Sequence, residues 1–395
     1  MKPLSYITEL FNESVIREMT RICDAAGGYN LSQGFPDFEA DERIKKAACD
    51  AIISDHNQYP VTFGEKSLRE AIACKAKRYN KIDCDPENDI TVTCGATEAM
   101  IASLKSIINP GDEVIIFEPF YENYGPDVIL SNATPRYVRL NPPLWDYSHD
   151  DLKKAFNERT KAIIINTPHN PTGKVFSRKE LEEIAALCLK WDCIAVTDEI
   201  YEHILYDDSE HISIASIDGM AGRTVTINSV SKSYAVTGWR VGWAIADEKI
   251  SSRIRKVHDF FTVGAPTPFQ EAAAYALGMP EEYYRKMRLR YSEARDYFFD
   301  ILPKCGFRPY LPQGSYYIIA DAGELMDRLG IDNDTGLSRR LIELTRVATV
   351  PGSSFYSGSV EKSGQVRFAF CKNMTLLVKA GESMMNLSSC GVSTE

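Results

Sequence analysis

The chain has 395 residues, of which 44% are hydrophobic, and 45 Lys plus Arg stand against 55 Asp plus Glu for a formal net charge of −10. That is the composition of a globular protein with room for two or three domains of roughly 150 residues each, and it excludes a disordered, collagen-like or disulfide-scaffold chain. The acidic balance argues against nucleic acid or an anionic membrane as partner, since both are bound through basic surface.

The first ~40 residues are polar and amphipathic, without the apolar stretch and small-residue cleavage site of a secretory leader. They predict an arm, residues 1–41, that packs on a later unit or on a second subunit. From there to about residue 281 the chain alternates short apolar runs with helical periodicity. Strands are predicted over 90–93, 114–117, 162–166, 194–197, 224–228 and 241–246, with helices over 67–79, 97–108 and 178–191 among them. This is the βαβ rhythm of an α/β fold with a mostly parallel sheet, so 42–281 reads as the large domain. Beyond it the pattern changes to a charged helix over 283–299, short strands at 316–321, 347–350 and 365–371, a helix near 337–345 and a last helix. Residues 282–395 thus read as a smaller α+β domain, with a Ser-rich end over 387–395. No run approaches the ~18 apolar residues of a spanning helix. The ten cysteines form no C-x-x-C pair and read as mostly buried thiols of a reducing, cytoplasmic compartment.

In open α/β sheets ligands bind beyond the carboxyl ends of the strands, so the residues following each strand are the candidates. After the first comes Cys94-Gly95-Ala96-Thr97, a small-residue turn opening a helix whose free N–H groups suit an anion. Glycine also serves such turns with no ligand at all. After 162–166 comes Thr167-Pro168-His169-Asn170-Pro171-Thr172-Gly173, either a rigid turn or a presentation of Asn170 as donor and acceptor. Asp198-Glu199-Ile200-Tyr201 ends the next strand, where an Asp is as often a helix cap. Ser229-Val230-Ser231-Lys232 follows, then Arg240 eight residues on. A partly desolvated Lys is a carbonyl-reactive nucleophile, and hydroxyls with an Arg supply what a phosphate needs. Together these groups meet the requirements of pyridoxal 5'-phosphate: an imine-forming lysine, a carboxylate for the ring nitrogen and a phosphate cradle.

The stretches GAT at 95–97, HNPTG at 169–173, DEIY at 198–201 and SVSKSYAVTGWRVG at 229–242 resemble the class I/II aminotransferases of fold type I. The likeness covers nearly the whole chain. NLSQGFPDF at 30–38, NQYPVTFG at 57–64, EPFYENY at 118–124, LPQGSYYIIAD at 311–321, VPGSSF at 350–355 and QVRFAF at 365–370 are similar to the subgroup of kynurenine aminotransferase, also called glutamine transaminase K.

The resemblance implies that Lys232 holds the cofactor as an internal aldimine and then shuttles the α-proton. It implies that Asp198 pairs with the ring nitrogen, that Tyr201 and Asn170 bond the ring hydroxyl oxygen, and that Tyr121 stacks on the ring. Gly95, Ala96, Thr97, Ser229 and Arg240 would surround the phosphate, and Tyr59 would reach the phosphate of a neighbouring subunit, implying a homodimer. Arg367, a planar fork suited to carboxylates, and Gly34 would receive the substrate's α-carboxylate. The implied reaction is a ping-pong exchange of an amino group between an L-amino acid and a 2-oxo acid, with the small domain closing over substrate.

Small residues over 262–266 and an arm without Trp argue against kynurenine itself. Side-chain contacts are expected from Tyr6, Phe11, Ile16, Tyr124 and Val263, favouring methionine, glutamine, apolar or aromatic donors. A pyridoxal-phosphate C–S β-lyase is the alternative the motifs leave open, and an aspartate-type aminotransferase the second. A transcription-regulator relative would need an added basic DNA-binding unit, and a nicotinamide dehydrogenase would need a G-x-G-x-x-G after a strand; the sequence has neither. The six histidines show no H-E-x-x-H or paired spacing, so no metal is expected.

Overall fold

The structure is a computed structural model, and it describes residues 2–358 and 364–389. Residues 390–395 of the Ser-rich end, Cys390 among them, lie outside the described residues.

Eight strands form the large sheet, in the spatial order Ile90–Thr93, Gly242–Ile245, Thr224–Ser229, Ile194–Asp198, Thr160–Asn166, Glu113–Glu118, Thr134–Asn141 and Asp146–Tyr147. The five from Thr224–Ser229 to Thr134–Asn141 run parallel, while Gly242–Ile245 is antiparallel to both of its neighbours. The central strands are buried on both faces, and Glu113–Glu118, Thr160–Asn166 and Ile194–Asp198 accordingly carry apolar runs, whereas Thr224–Ser229 alternates Thr with Val and Ile although it is equally buried. Helices such as Ala96–Ile107 and Arg178–Trp191 cover the two faces. The second of these opens with Ser177 and Glu180 capping each other's backbone N–H groups.

The strand Thr134–Asn141 and its partner Asp146–Tyr147 were not predicted. Their sequence, TPRYVRLN, puts Pro135, Arg136 and Arg139 between the apolar residues, and only pairing with Glu113–Glu118 makes it a strand. The predicted helix over 67–79 is an α-helix, Lys66–Lys75, that widens into a π-turn, Ala76–Asn80.

A four-stranded antiparallel sheet, in the order Arg308–Pro309, Tyr317–Asp321, Gln365–Ala369, Val350–Pro351, is built from the C-terminal part. The 21-residue helix Glu281–Ile301 and the helices Asp334–Thr345 and Met374–Met385 pack around it. The arm joins this part: Tyr29–Asn30 pairs in parallel with Val347–Ala348, and Met19 and Cys23 pack with Ile342 and Ala348. Five of the nine described cysteines are buried, Cys49 and Cys74 being exposed, and all nine are free thiols.

Candidate active site

The carboxyl ends of the parallel strands converge on a pocket of about 200 Å³, which the arm and the small sheet close from the other side. Of the residues singled out in the sequence, Gly34, Ala96, Thr97, Tyr121, Asn170, Asp198, Tyr201, Ser229, Lys232, Arg240 and Arg367 line it. They come from eight separate segments.

Lys232 projects from the turn after Thr224–Ser229. Its amine donates to the Gly34 carbonyl oxygen, 3.1 Å away, and the rings of Tyr201 and Tyr316 stand 5.9 Å off. Burial pushes its pKa down to about 8, so an appreciable share of the amine is neutral and nucleophilic near neutral pH. Asp198 lies across the pocket floor. Burial raises its carboxyl to about 6, held from rising further by the Tyr124 hydroxyl, which donates to Oδ2 at 2.7 Å, by the Ile200 N–H and by the charge of Lys232.

At the other end, Gly95 at φ +82° opens the helix Ala96–Ile107. A side chain there would put its Cβ 2.3 Å from Arg240 Nη2, so only glycine lets the guanidinium close on the turn. Arg240 donates to Thr237 O at 3.0 Å. With the buried hydroxyls of Ser229 and Ser231, it makes a cationic cradle at the start of a twelve-residue helix.

Arg367 is wholly buried. Its Nη1 donates to Asn170 Oδ1 at 2.8 Å and Nη2 to Ser32 O at 2.6 Å, its plane lies over Tyr317 and Phe355, and its buried Nε has no partner among the described residues. Because Asn170 Oδ1 is engaged with Arg367, its amide presents N–H groups elsewhere. Gly34 is demanded by space, since a Cβ there would meet the Tyr317 hydroxyl at 1.9 Å. That hydroxyl in turn hydrogen-bonds Tyr201, 3.0 Å away.

Three of the expected side-chain contacts fall elsewhere. Tyr6 is 73% exposed and Val263 44% exposed, neither lining the pocket, and Phe11 faces an outer groove beside it. The arm turns Ile16 inward instead, packed with Tyr121, Val350 and Phe355. Tyr124 does reach the pocket, but as the partner of Asp198. Tyr59 is 85% exposed and stands apart from its own chain's pocket. Tyr317 and Asn166 line the site without having been singled out, and Ser231, named only as part of the lysine motif, lines it too. Of these, Tyr317 was legible only as one of a Tyr pair at the start of a strand, with nothing to say which of the two lines the pocket.

His169 has its Nδ1 2.7 Å from Thr172 Oγ1, and burial drops its pKa to about 3, so it is a neutral part of the turn. Behind the site, Glu199, Glu202 and His211 place one ligand atom each within 4.8 Å of one another. The trio is already engaged by protein donors, Glu202 with Lys75 and Asn80, Glu199 with Thr197 and Ser213.

An enclosed amine facing a buried carboxylate, with a cationic helix-start cradle at one end and a buried guanidinium at the other, has the donor set of a pyridoxal-phosphate enzyme. The residues fit the cofactor: Asp198 for the ring nitrogen, Lys232 for the carbonyl, the cradle for the phosphate. Comparison with known proteins reaches the same class. Residues 26–379 match the family model "Aminotransferase class I and II", and the chain belongs to that family of pyridoxal-phosphate-dependent enzymes, acting on small amino and oxo acids. The structure of N-succinyldiaminopimelate aminotransferase from Mycobacterium tuberculosis superposes with a TM-score of 0.93 at 36% identity, covering 98% of this chain and 100% of that one. An Escherichia coli protein with a methionine aminotransferase function gives 0.91 at 30% identity, over 98% and 100%. The kynurenine–oxoglutarate transaminase of Dictyostelium discoideum is 33% identical over 96% of this chain and 95% of its own. No helix among the described residues is long and apolar enough to cross a membrane.

Proposed function

We propose that the enzyme transfers the amino group of an L-amino acid with an apolar, aromatic, methionine or glutamine side chain to a 2-oxo acid by a ping-pong mechanism. The observation that carries the reading is the opposition of Lys232 and Arg367 in one pocket, with Ile16, Tyr121 and Tyr317 around them. Arg367, with Asn170 fixed against it, receives the α-carboxylate through its guanidinium N–H groups, and this aims the α-carbon at Lys232. Bound at Asp198 and the cradle, pyridoxal phosphate supplies the electron sink for charge left on the α-carbon. Lys232 takes the α-proton and returns it, a task suited to an amine titrating near 8. Asp198 stays ionised opposite the ring nitrogen. Tyr201 and Asn170 donate to the ring oxygen, and Gly95, Ala96, Thr97, Ser229 and Arg240 hold the phosphate.

The division into an arm of 1–41, a large domain of 42–281 and a small domain of 282–395 belongs to this proposal. It is supported by the two separate sheets and by the arm's pairing with Val347–Ala348. So does a cytoplasmic homodimer in which Tyr59 reaches the partner's phosphate. In its support, Tyr59, Val61, Phe260, Phe261 and Val263 are all exposed, and Pro60 abuts Gly264. An exposed apolar surface of this kind marks a face that another protein surface covers.

The test is a half-reaction screen with methionine, glutamine, phenylalanine, aspartate and N-succinyldiaminopimelate, each added to enzyme carrying lysine-bound cofactor. Conversion of the lysine-bound absorbance band with equal oxo-acid release, strongest for the first three, is expected. Steady pyruvate and ammonia from cysteine conjugates with an unchanged band would instead make the enzyme a C–S β-lyase.

A further inference from the structure

Glu98 and His258 lie behind the phosphate-side turn, outside the pocket, and are both buried. Glu98 sits in the first turn of Ala96–Ile107 and reaches back, so that Oε2 accepts the Cys94 backbone N–H at 2.5 Å. Its Oε1 accepts from Thr262 Oγ1 at 2.7 Å and lies 2.7 Å from His258 Nδ1. His258 Nε2 stands 2.8 Å from the Thr62 carbonyl oxygen. A carbonyl only accepts, so Nε2 bears a proton, and a second proton lies between Nδ1 and Glu98. The ring therefore bridges the turn 94–97 and the segment 58–62, beside the backbone hydrogen bond that Val92 N–H donates to Phe63 O at 3.0 Å.

The second segment carries Tyr59. It is tied to the same place from both sides, since Thr267 Oγ1 donates to Gln58 O at 2.7 Å and a Cβ on Gly264 would meet Pro60 at 2.6 Å. Cys94 Sγ is 3.6 Å from Gly264 O. Between these contacts Val263 is held at φ +68°. A β-branched residue keeps such a conformation only where its surroundings over-determine it.

We propose that His258, through Glu98 on one side and Thr62 on the other, is a positioning residue serving two active sites at once. It fixes the turn that closes this chain's own phosphate cradle, and it fixes the Tyr59 segment that reaches the cradle of a second copy. The proposal rests on the shared-site dimer read above. Its consequence is that a lesion at His258 in one subunit loosens the cofactor in the other.

Heterodimers separate the effects. One chain is wild type and the other carries Lys232→Ala, so only the wild-type chain's site forms the lysine-bound chromophore, and that site depends on the variant chain's Tyr59. The readout is the cofactor's dissociation constant at that site. Adding His258→Phe to the Lys232→Ala chain is expected to weaken binding about tenfold, the loss of one charge-assisted hydrogen bond. Tyr59→Phe in the same chain should match it, and His258→Gln, which keeps an N–H donor, should recover most of it. An unchanged constant with His258→Phe, where Tyr59→Phe does weaken binding, overturns the proposal and leaves the shared site standing. An unchanged constant with both overturns the shared-site reading and this proposal with it. If His258→Phe chains do not assemble, Glu98→Gln in the homodimer decides: severalfold weaker cofactor binding supports the link, and wild-type binding refutes it.

Discussion

Replacing Arg367 tests the substrate end of the pocket. Its guanidinium is buried, spends one N–H on Asn170 and one on Ser32, and has an Nε with no partner among the described residues. A carboxylate arriving there makes two charge-assisted hydrogen bonds, each worth about 1.5–3 kcal/mol. Arg367→Ala removes both, along with the bonds that hold Asn170, so about 3–4 kcal/mol of the recognition of an α-carboxylate should go, or roughly 100- to 1000-fold in kcat/KM. Arg367→Lys keeps the charge but loses the planar fork and should fall between. The assay compares an amino acid with its decarboxylated amine. Only the acid engages the fork, so in Arg367→Ala the acid's advantage should collapse while the amine's slow reaction is nearly unchanged. Equal losses for acid and amine would mean that Arg367 only holds the fold, and an unchanged kcat/KM for the acid would place the carboxylate elsewhere.

Two further predictions come from the electrostatics of the pocket floor. In cofactor-free protein Lys232 titrates near 8 when folded, against 10.5 when exposed. Between those values unfolding takes up a proton, so this group's contribution to stability is full above about 10.5 and is lost as pH falls through 8. Lys232→Met should therefore stabilise the cofactor-free protein more at pH 7 than at pH 10, by a difference of about 2.5 kcal/mol in urea unfolding, while abolishing turnover; a pH-independent difference would refute the burial argument. Tyr124→Phe removes the donor 2.7 Å from Asp198 Oδ2 and leaves the ring packed against Tyr121. It should raise the Asp198 carboxyl above its present value near 6 and weaken cofactor binding about tenfold. Wild-type affinity in a correctly folded variant would show that the phenol is incidental.

The parallel sheet and the roster of reactive groups were legible in the sequence, for physical reasons that are local. Strands buried on both faces favour apolar runs, and ligands of such sheets meet the residues that follow the strands, so Asp198, Asn170, Ser229 and Lys232 could be picked out from position alone. Their assignment to roles came from the motifs around them. Tertiary structure decided what depends on approach between distant segments. Tyr124 serves Asp198 from 74 residues away, Gly34 is required by the Tyr317 hydroxyl, and Arg367 shares Asn170 across 197 residues. The strand Thr134–Asn141, with its charged alternation, exists because Glu113–Glu118 is there to pair with it. The same holds for His258, 196 residues from Thr62: nothing in its helix marks it, and only packing brings its two nitrogens between the turn and the segment it joins. Side-chain type and spacing set what chemistry a residue can do, whereas burial and partners, which set its pKa and its aim, belong to the folded chain.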